Sequence, residues 1–126
     1  LVPSMFEPCG LTQMIAMRYG CIPVVRRTGG LRDTVFDVDD DRERAAEQGL
    51  TPNGFSFDGS QHYDIEYALD RAMRMYASEK TNWDTLVGTT MRQDWGWTDP
   101  ADTYVEHYWK ATKSAKYQAA QGLHRD

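Results

Sequence analysis

Apolar and polar residues form short runs in the first third of the chain and then settle into helical spacing. Leu1-Val2 runs straight into Pro3-Ser4 and reads as the tail of a strand meeting a turn. Met5-Phe6-Glu7-Pro8-Cys9-Gly10 is a loop, and Leu11 to Tyr19, rich in helix formers, predicts a helix that Gly20 ends in a left-handed conformation. Ile22-Pro23-Val24-Val25 follows as a β-branched strand, with Pro23 near an end or an edge. Strand, loop, helix, strand is the rhythm of a parallel βαβ unit, so the fold class is α/β with a parallel sheet whose ligands gather at the carboxyl ends of the strands. Further on, Pro52-Asn53-Gly54 marks a turn and Phe55-Ser56-Phe57 alternates as a short strand. Two helical stripes come next, Ile65, Leu69, Ala72 and Tyr76, then Trp83, Leu86, Val87 and Met91. Asp99-Pro100 reads as a cap and first-turn pair for a last helix carrying Ala101, Tyr104, Tyr108 and Ala111. These elements place one domain over residues 1–114 and a polar tail over residues 115–126.

Composition narrows the function classes. The 126 residues, 40% hydrophobic and 26% charged, are enough for one globular domain with a substantial core. Fourteen Lys and Arg against nineteen Asp and Glu give a net charge of −5, which argues against general attraction to nucleic acid or to an anionic membrane. No apolar run approaches the roughly 20 residues that cross a bilayer. Cys9 and Cys21 are too few for a disulfide scaffold and lack zinc-site spacing, so reduced thiols in an intracellular compartment are the expectation. The abrupt opening at Leu1 suggests a segment of a larger fold, with part of the sheet and a further domain lying outside it.

Two glycine-bearing bends are the candidates for chemistry. In the first, Glu7 to Thr12, Pro8 stiffens the loop, Gly10 allows close backbone approach, and the following helix start suits a phosphate or a sugar hydroxyl. Thr12 can cap that helix or donate to a phosphate, and Glu7 can accept from a polyol or stabilise a cationic transition state. In the second, Arg27-Thr28-Gly29-Gly30-Leu31, two glycines let the backbone fold against a ligand while Arg26 or Arg27 offsets anionic charge. Neither matches a dinucleotide fingerprint or a P-loop, and taken alone each fits an ordinary capped helix or a turn. Their shared place after neighbouring strands is what joins them. Asp37-Val38-Asp39-Asp40-Asp41-Arg42-Glu43-Arg44 fails as a calcium loop, because Arg42 and Gln48 stand where Gly and Glu are needed, and it reads as a solvated loop. His62, His107 and His124 have neither metal-ligand spacing nor proximity to Cys9. Asp94-Trp95-Gly96-Trp97 is a packing anchor or a carbohydrate platform.

Ser4 to Gln13, Ala16 to Gly20 and Pro23 to Val35 together resemble the carboxyl-terminal part of a starch or glycogen synthase (glycosyltransferase family 5). Asn53-Gly54-Phe55-Ser56-Phe57 and Asp94-Trp95-Gly96-Trp97 follow in the family's order. Phe36 to Asp41 and Asn53 to Gly59 are most similar to plant and algal class III soluble starch synthases. The resemblance implies the carboxyl-terminal Rossmann-like domain of a GT-B enzyme that moves glucose from ADP-glucose to the non-reducing end of an α-1,4-glucan (amylopectin, amylose or glycogen) with retention. It implies no cofactor and no catalytic metal. By position, Glu7 falls beside the donor glucose, the backbone of Cys9, Gly10 and Leu11 on the sugar, Thr12 on the diphosphate, and Thr28, Gly29 and Gly30 around the same pocket. Ile15 stands where related retaining transferases carry a second Glu. An amino-terminal domain supplies the acceptor side in that family, so this segment is expected to be inactive alone. The location implied is a plastid for a plant or algal protein and the cytoplasm otherwise. Alternatives are a UDP-sugar GT-B transferase and a non-catalytic glucan- or partner-binding domain.

Overall fold

The computed structural model describes residues 1–120. Within them the chain divides into two compact units, Leu1–Gln93 and the segment from Asp94 onward.

The first unit is built on a parallel sheet. β1 (Val24–Arg26) pairs with β2 (Phe55–Phe57) in parallel, Val24 opposite Phe55 and Arg26 opposite Phe57. Val2 adds a parallel bridge on the outer side of β1, where its N–H donates to Val24 and its carbonyl accepts from Arg26. Asp37 bridges Gly54 on the far side of β2. The sheet therefore runs Val2, β1, β2, Asp37, with every neighbour parallel, as the strand-loop-helix-strand opening predicts.

Helices follow each strand: α1 (Thr12–Arg18), α2 (Gly29–Thr34), α3 (Arg42–Glu47), α4 (His62–Ser78) and α5 (Lys80–Arg92). Successive strand residues point to opposite faces. Val24, Phe55 and Phe57 meet Val38, Ala68 and Ala72 on one side, backed by Ile65, Leu69, Trp83 and Leu86 from α4 and α5. Val25 meets Leu31, Val35 and Val2 on the other. Both expected stripes thus supply core residues, although Tyr76 and Met91 remain exposed. The expected first helix stops where foreseen: Gly20 has φ +78° and Cys21 N–H reaches back to the Ala16 carbonyl, a six-residue closure that satisfies a terminal acceptor.

The charge run from Asp37 to Arg44 is not the solvated loop expected. Asp37 and Asp41 are buried at 0% and 7% exposure. Asp37 Oδ2 accepts the Ser56 N–H at 2.6 Å, Oδ1 accepts the Asp39 N–H at 3.0 Å, and Arg71 of α4 pairs with Oδ1 at 2.5 Å. Asp41 accepts the Asp37 N–H at 2.9 Å and is forked by Arg44 at 3.0 and 2.9 Å. A buried carboxylate persists when it is paired and hydrogen-bonded, and these two are. They tie the edge of the sheet to α3 and α4.

In the second unit Trp97 occupies the N-cap, its carbonyl accepting the Ala101 N–H, and α6 runs Thr98–Ala120. Asp99 lies inside the first turn rather than at the cap, still next to the positive helix end. The rings of Trp97, Tyr104 and Tyr108 succeed one another at 6.2 and 6.4 Å. α6 continues past residue 114 into the segment set apart as a polar tail, and residues 121–126 of that segment lie outside the described residues. Among the described residues, no helix is long and apolar enough to cross a membrane.

Candidate functional site

Because Val2 and β1 run parallel, the segments that leave them emerge from one edge of the sheet. Bend one, residues 3–12, leads from Val2 into the first residue of α1, and bend two, residues 27–30, leads from β1 into the first two residues of α2. They are in direct backbone contact. Gly30 N–H donates to the Glu7 carbonyl at 2.9 Å. A Cβ on Gly29 would stand 1.9 Å from that same oxygen, and one on Gly30 would stand 1.5 Å from the Cys9 carbonyl oxygen. Only glycine fits there. The glycines make room first for the neighbouring bend, a duty that the sequence alone assigned to ligand approach.

Bend two turns helical sooner than expected. Gly29 and Gly30 are already the first residues of α2, with extended Thr28 at its N-cap and the Thr28 carbonyl accepting from Leu31 and Arg32. Glycine is a poor helix former at a cost of order 1 kcal/mol per residue, but any side chain here would collide with the backbone of bend one.

The Glu7 side chain is half-buried, and Oε2 accepts the Ser4 hydroxyl at 3.1 Å. That bond fixes one carboxylate oxygen within its own bend. Cys9 carries a free, exposed thiol, and Leu11 is exposed. Thr12 does not cap α1: Leu11 holds the N-cap position, no side chain caps the helix, and Thr12 is its first residue, exposed at the helix start. The first-turn N–H groups of α1 therefore have no capping oxygen from a side chain. All eight candidate residues, Glu7, Cys9, Gly10, Leu11, Thr12, Thr28, Gly29 and Gly30, belong to these two touching bends.

The two arginines that follow β1 have different duties. Arg27 is taken up by Asp41 at 3.4 Å and Asp58 at 3.6 Å, so its charge is already offset. Arg26 meets backbone carbonyls instead, donating to Met5 at 3.2 Å and to Gly59 at 3.0 Å. It stitches bend one to the loop after β2 and keeps its positive charge at this edge. The Asp41 carboxyl, by contrast, lies below its ordinary value: burial pushes it up, but the Arg44 hydrogen bond, the Asp37 N–H and the charges of Arg27 and Arg44 outweigh that.

Several residues that hold this unit together had no place among the sequence candidates. Gln13 is fully buried and donates to the Gly10 carbonyl at 2.8 Å and to Thr34 Oγ1 at 2.9 Å. Asn53 is fully buried too; it accepts the Phe36 N–H and donates to the Thr34 carbonyl and Gln93 Oε1. Arg71 could have been found from its phase, since it follows core Ala68 by three positions on α4 and so needs a buried partner. A cavity of about 420 Å³ lies between the end of β2 and α4, and one of about 710 Å³ between α3 and α5. Neither is lined by Glu7, Gly10 or Gly30.

Comparison with known proteins places this edge in context. No family model matches the sequence. The chain is 58% identical over 113 residues to starch synthase 3 of Arabidopsis thaliana, covering 90% of this chain and 11% of that protein. It is 46% identical to a probable starch synthase 4 of the same plant over 116 residues, 92% of this chain and 11% of that protein. Glycogen synthase of Protochlamydia amoebophila is 44% identical over 108 residues, 86% of this chain and 21% of that protein. Among solved structures, the catalytic domain of starch synthase IV from Arabidopsis thaliana, bound to ADP and acarbose, superposes with a TM-score of 0.79 at 46% identity. That superposition covers 88% of this chain and 22% of the other. The chain spans only about a tenth to a fifth of the length of these relatives.

Proposed function

We propose, since this chain belongs to the starch and glycogen synthase family and carries part of the carboxyl-terminal Rossmann-like domain of its GT-B fold, that it supplies part of the donor-sugar site of a retaining glucosyltransferase. The substrate is ADP-glucose and the acceptor the non-reducing end of an α-1,4-glucan. Identity of 58% to starch synthase 3 against 46% to starch synthase 4 favours a class III enzyme. Its plant starch synthase relatives are named as chloroplastic/amyloplastic, which supports a plastid location for a plant or algal protein. The assignment calls on no cofactor or metal ion.

One observation carries it: bend one and bend two leave adjacent parallel strands at the same edge and are locked backbone to backbone through Gly30 N–H and the Glu7 carbonyl. Ligands of open parallel sheets bind at that edge. At this edge Glu7 faces the hexose, accepting from its hydroxyls and stabilising positive charge as the anomeric carbon loses the diphosphate. The backbone of Cys9, Gly10 and Leu11 lies against the sugar, and Thr12 with the uncapped first turn of α1 receives the diphosphate. Thr28, Gly29 and Gly30 hold the floor beneath. Arg26 adds positive charge at the same edge, whereas Arg27 is already neutralised.

The test is Glu7→Ala in the natural-length polypeptide, assayed by glucose incorporation from ADP-glucose into a glucan primer. Turnover is expected to fall by at least about 100-fold, with the unfolding midpoint unchanged. A near-normal rate removes Glu7 from the mechanism. Residues 1–126 alone should incorporate no glucose, and competition between ADP-glucose and UDP-glucose decides the donor base.

A further inference from the structure

Two carbonyls, those of Gly10 and Gly30, belong to different bends and are joined by an unbroken line of side-chain hydrogen bonds. Gln13 Nε2 donates to the Gly10 carbonyl at 2.8 Å and to Thr34 Oγ1 at 2.9 Å. Thr34 Oγ1 in turn donates to the Gly30 carbonyl at 2.6 Å. The direction of every bond is forced. A carboxamide nitrogen carries two protons, and both are used; a hydroxyl carries one, and it is spent on Gly30. Turning the Gln13 amide over would set its oxygen against the Gly10 carbonyl oxygen, acceptor on acceptor. We infer that Gln13 and Thr34 form a positioning bracket that fixes the spacing of the two bends for donor binding and turnover, an inference that rests on the donor-site assignment above.

Two features separate a bracket from ordinary packing. Gln13 has no exposed area, and its Oε1 has no hydrogen-bond partner. Burying an amide with one end unpaired is a poor way to stabilise a fold, since an apolar side chain of similar size would avoid the unmatched acceptor. What the amide does that methionine or leucine could not is hold the Gly10 carbonyl and the Thr34 hydroxyl at once. The bracket also complements the main-chain lock: Gly30 N–H is held by Glu7 from bend one, and the Gly30 carbonyl by Thr34, which Gln13 holds in turn. Both ends of one peptide residue are thereby referenced to the loop that carries Glu7. Misplacing a positioned group by about an ångström is enough to cost around 100-fold in rate.

The experiment uses the natural-length polypeptide with ADP-glucose and a glucan primer. Turnover and KM are measured for wild type, Thr34→Val, Thr34→Ser, Gln13→Met and the pair Gln13→Met with Thr34→Val, and amide hydrogen exchange at residues 28–31 reads the bends independently of activity. Thr34→Val, which keeps the shape and removes the hydroxyl, is expected to lower kcat between about 10- and 100-fold while KM for ADP-glucose changes less than about threefold. Exchange at Gly30 should quicken at least about tenfold in the same variant. Thr34→Ser should restore both readings to within about threefold of wild type, and the pair should lose little beyond the worse single variant. Wild-type turnover in Thr34→Val, losses that serine does not restore, or full additivity of the two substitutions overturns the bracket. If Glu7→Ala abolishes turnover while Thr34→Val and Gln13→Met do not lower it, the bracket alone fails. If Glu7→Ala leaves turnover intact, the donor-site assignment fails, and with it the bracket's role in turnover.

Discussion

Replacing Gly30 by Ala is the sharpest perturbation available at the candidate site, because it adds one methyl group and no backbone strain. Gly30 does not have a positive φ, so alanine accepts its conformation. The added Cβ would sit 1.5 Å from the Cys9 carbonyl oxygen and 2.7 Å from the Cys9 Cα, both main-chain atoms that cannot swing aside. Ordinary contact begins near 3.4 Å, so bend one and α2 must part by about 1.9 Å. At that distance the 2.9 Å bond from Gly30 N–H to the Glu7 carbonyl is lost. Overpacking of this kind costs about 1–3 kcal/mol and an unpaired buried peptide group about 1–3 more, for a total of roughly 2–6 kcal/mol. If the strain is relieved by local opening, amide exchange at residues 28–31 should quicken at least about 30-fold, the factor that 2 kcal/mol represents. Gly88→Ala is the control: it lies within α5, where the nearest neighbour of a new Cβ is the mobile Arg92 Nη1 at 3.4 Å. There alanine should stabilise by roughly 0.5–1 kcal/mol through helix propensity. Wild-type exchange in Gly30→Ala, or an equal loss in Gly88→Ala, would refute the account of why glycine stands at position 30.

Two further outcomes follow from the buried acids. Arg71→Met leaves the Asp37 carboxylate without its guanidinium at a site with no solvent access, and should cost about 3 kcal/mol in urea unfolding at neutral pH, whereas Lys80→Met, which breaks the exposed pair with Asp84, should cost nothing measurable. Asp41 ionises below its ordinary 3.8 in the folded chain, so its charge stabilises the fold above that pH and the contribution disappears as pH falls through the lower folded value. Asp41→Asn should therefore lower the urea midpoint at pH 6, and the gap to wild type should narrow progressively as pH falls below 3.8; a gap that stays constant or widens on acidification contradicts the sign.

How much of this could be read from the residues depends on how far apart the partners stand. The end of α1 at Gly20, the strand at Phe55-Ser56-Phe57 and the shared edge of the bends that carry Glu7 and Gly29-Gly30 were legible, because each rests on local backbone chemistry or on strand order. The Asp37–Asp41 segment was not: its acids look solvated until Ser56 and Arg71, 19 and 34 positions later, come to meet Asp37. A charge run carries no mark of a distant guanidinium. Gln13 escaped notice for the same reason, since its hydroxyl partner lies 21 residues on. The start of α2 at Gly29 defeated local propensity, which disfavours glycine in helices, because the opposing bend leaves no space for a side chain.

Asn53 and Gln93 bear on where the first unit can be trimmed. The Gln93 amide donates to the Thr51 carbonyl at 2.7 Å and its oxygen accepts from Asn53 at 2.8 Å, so the last residue of the unit clasps the loop that feeds β2. Cutting after Arg92 would strip a buried carboxamide of one acceptor and free that loop. Cutting after Gln93 preserves the clasp, which makes residue 93 the natural seam for excising the first unit for calorimetry or crystallisation.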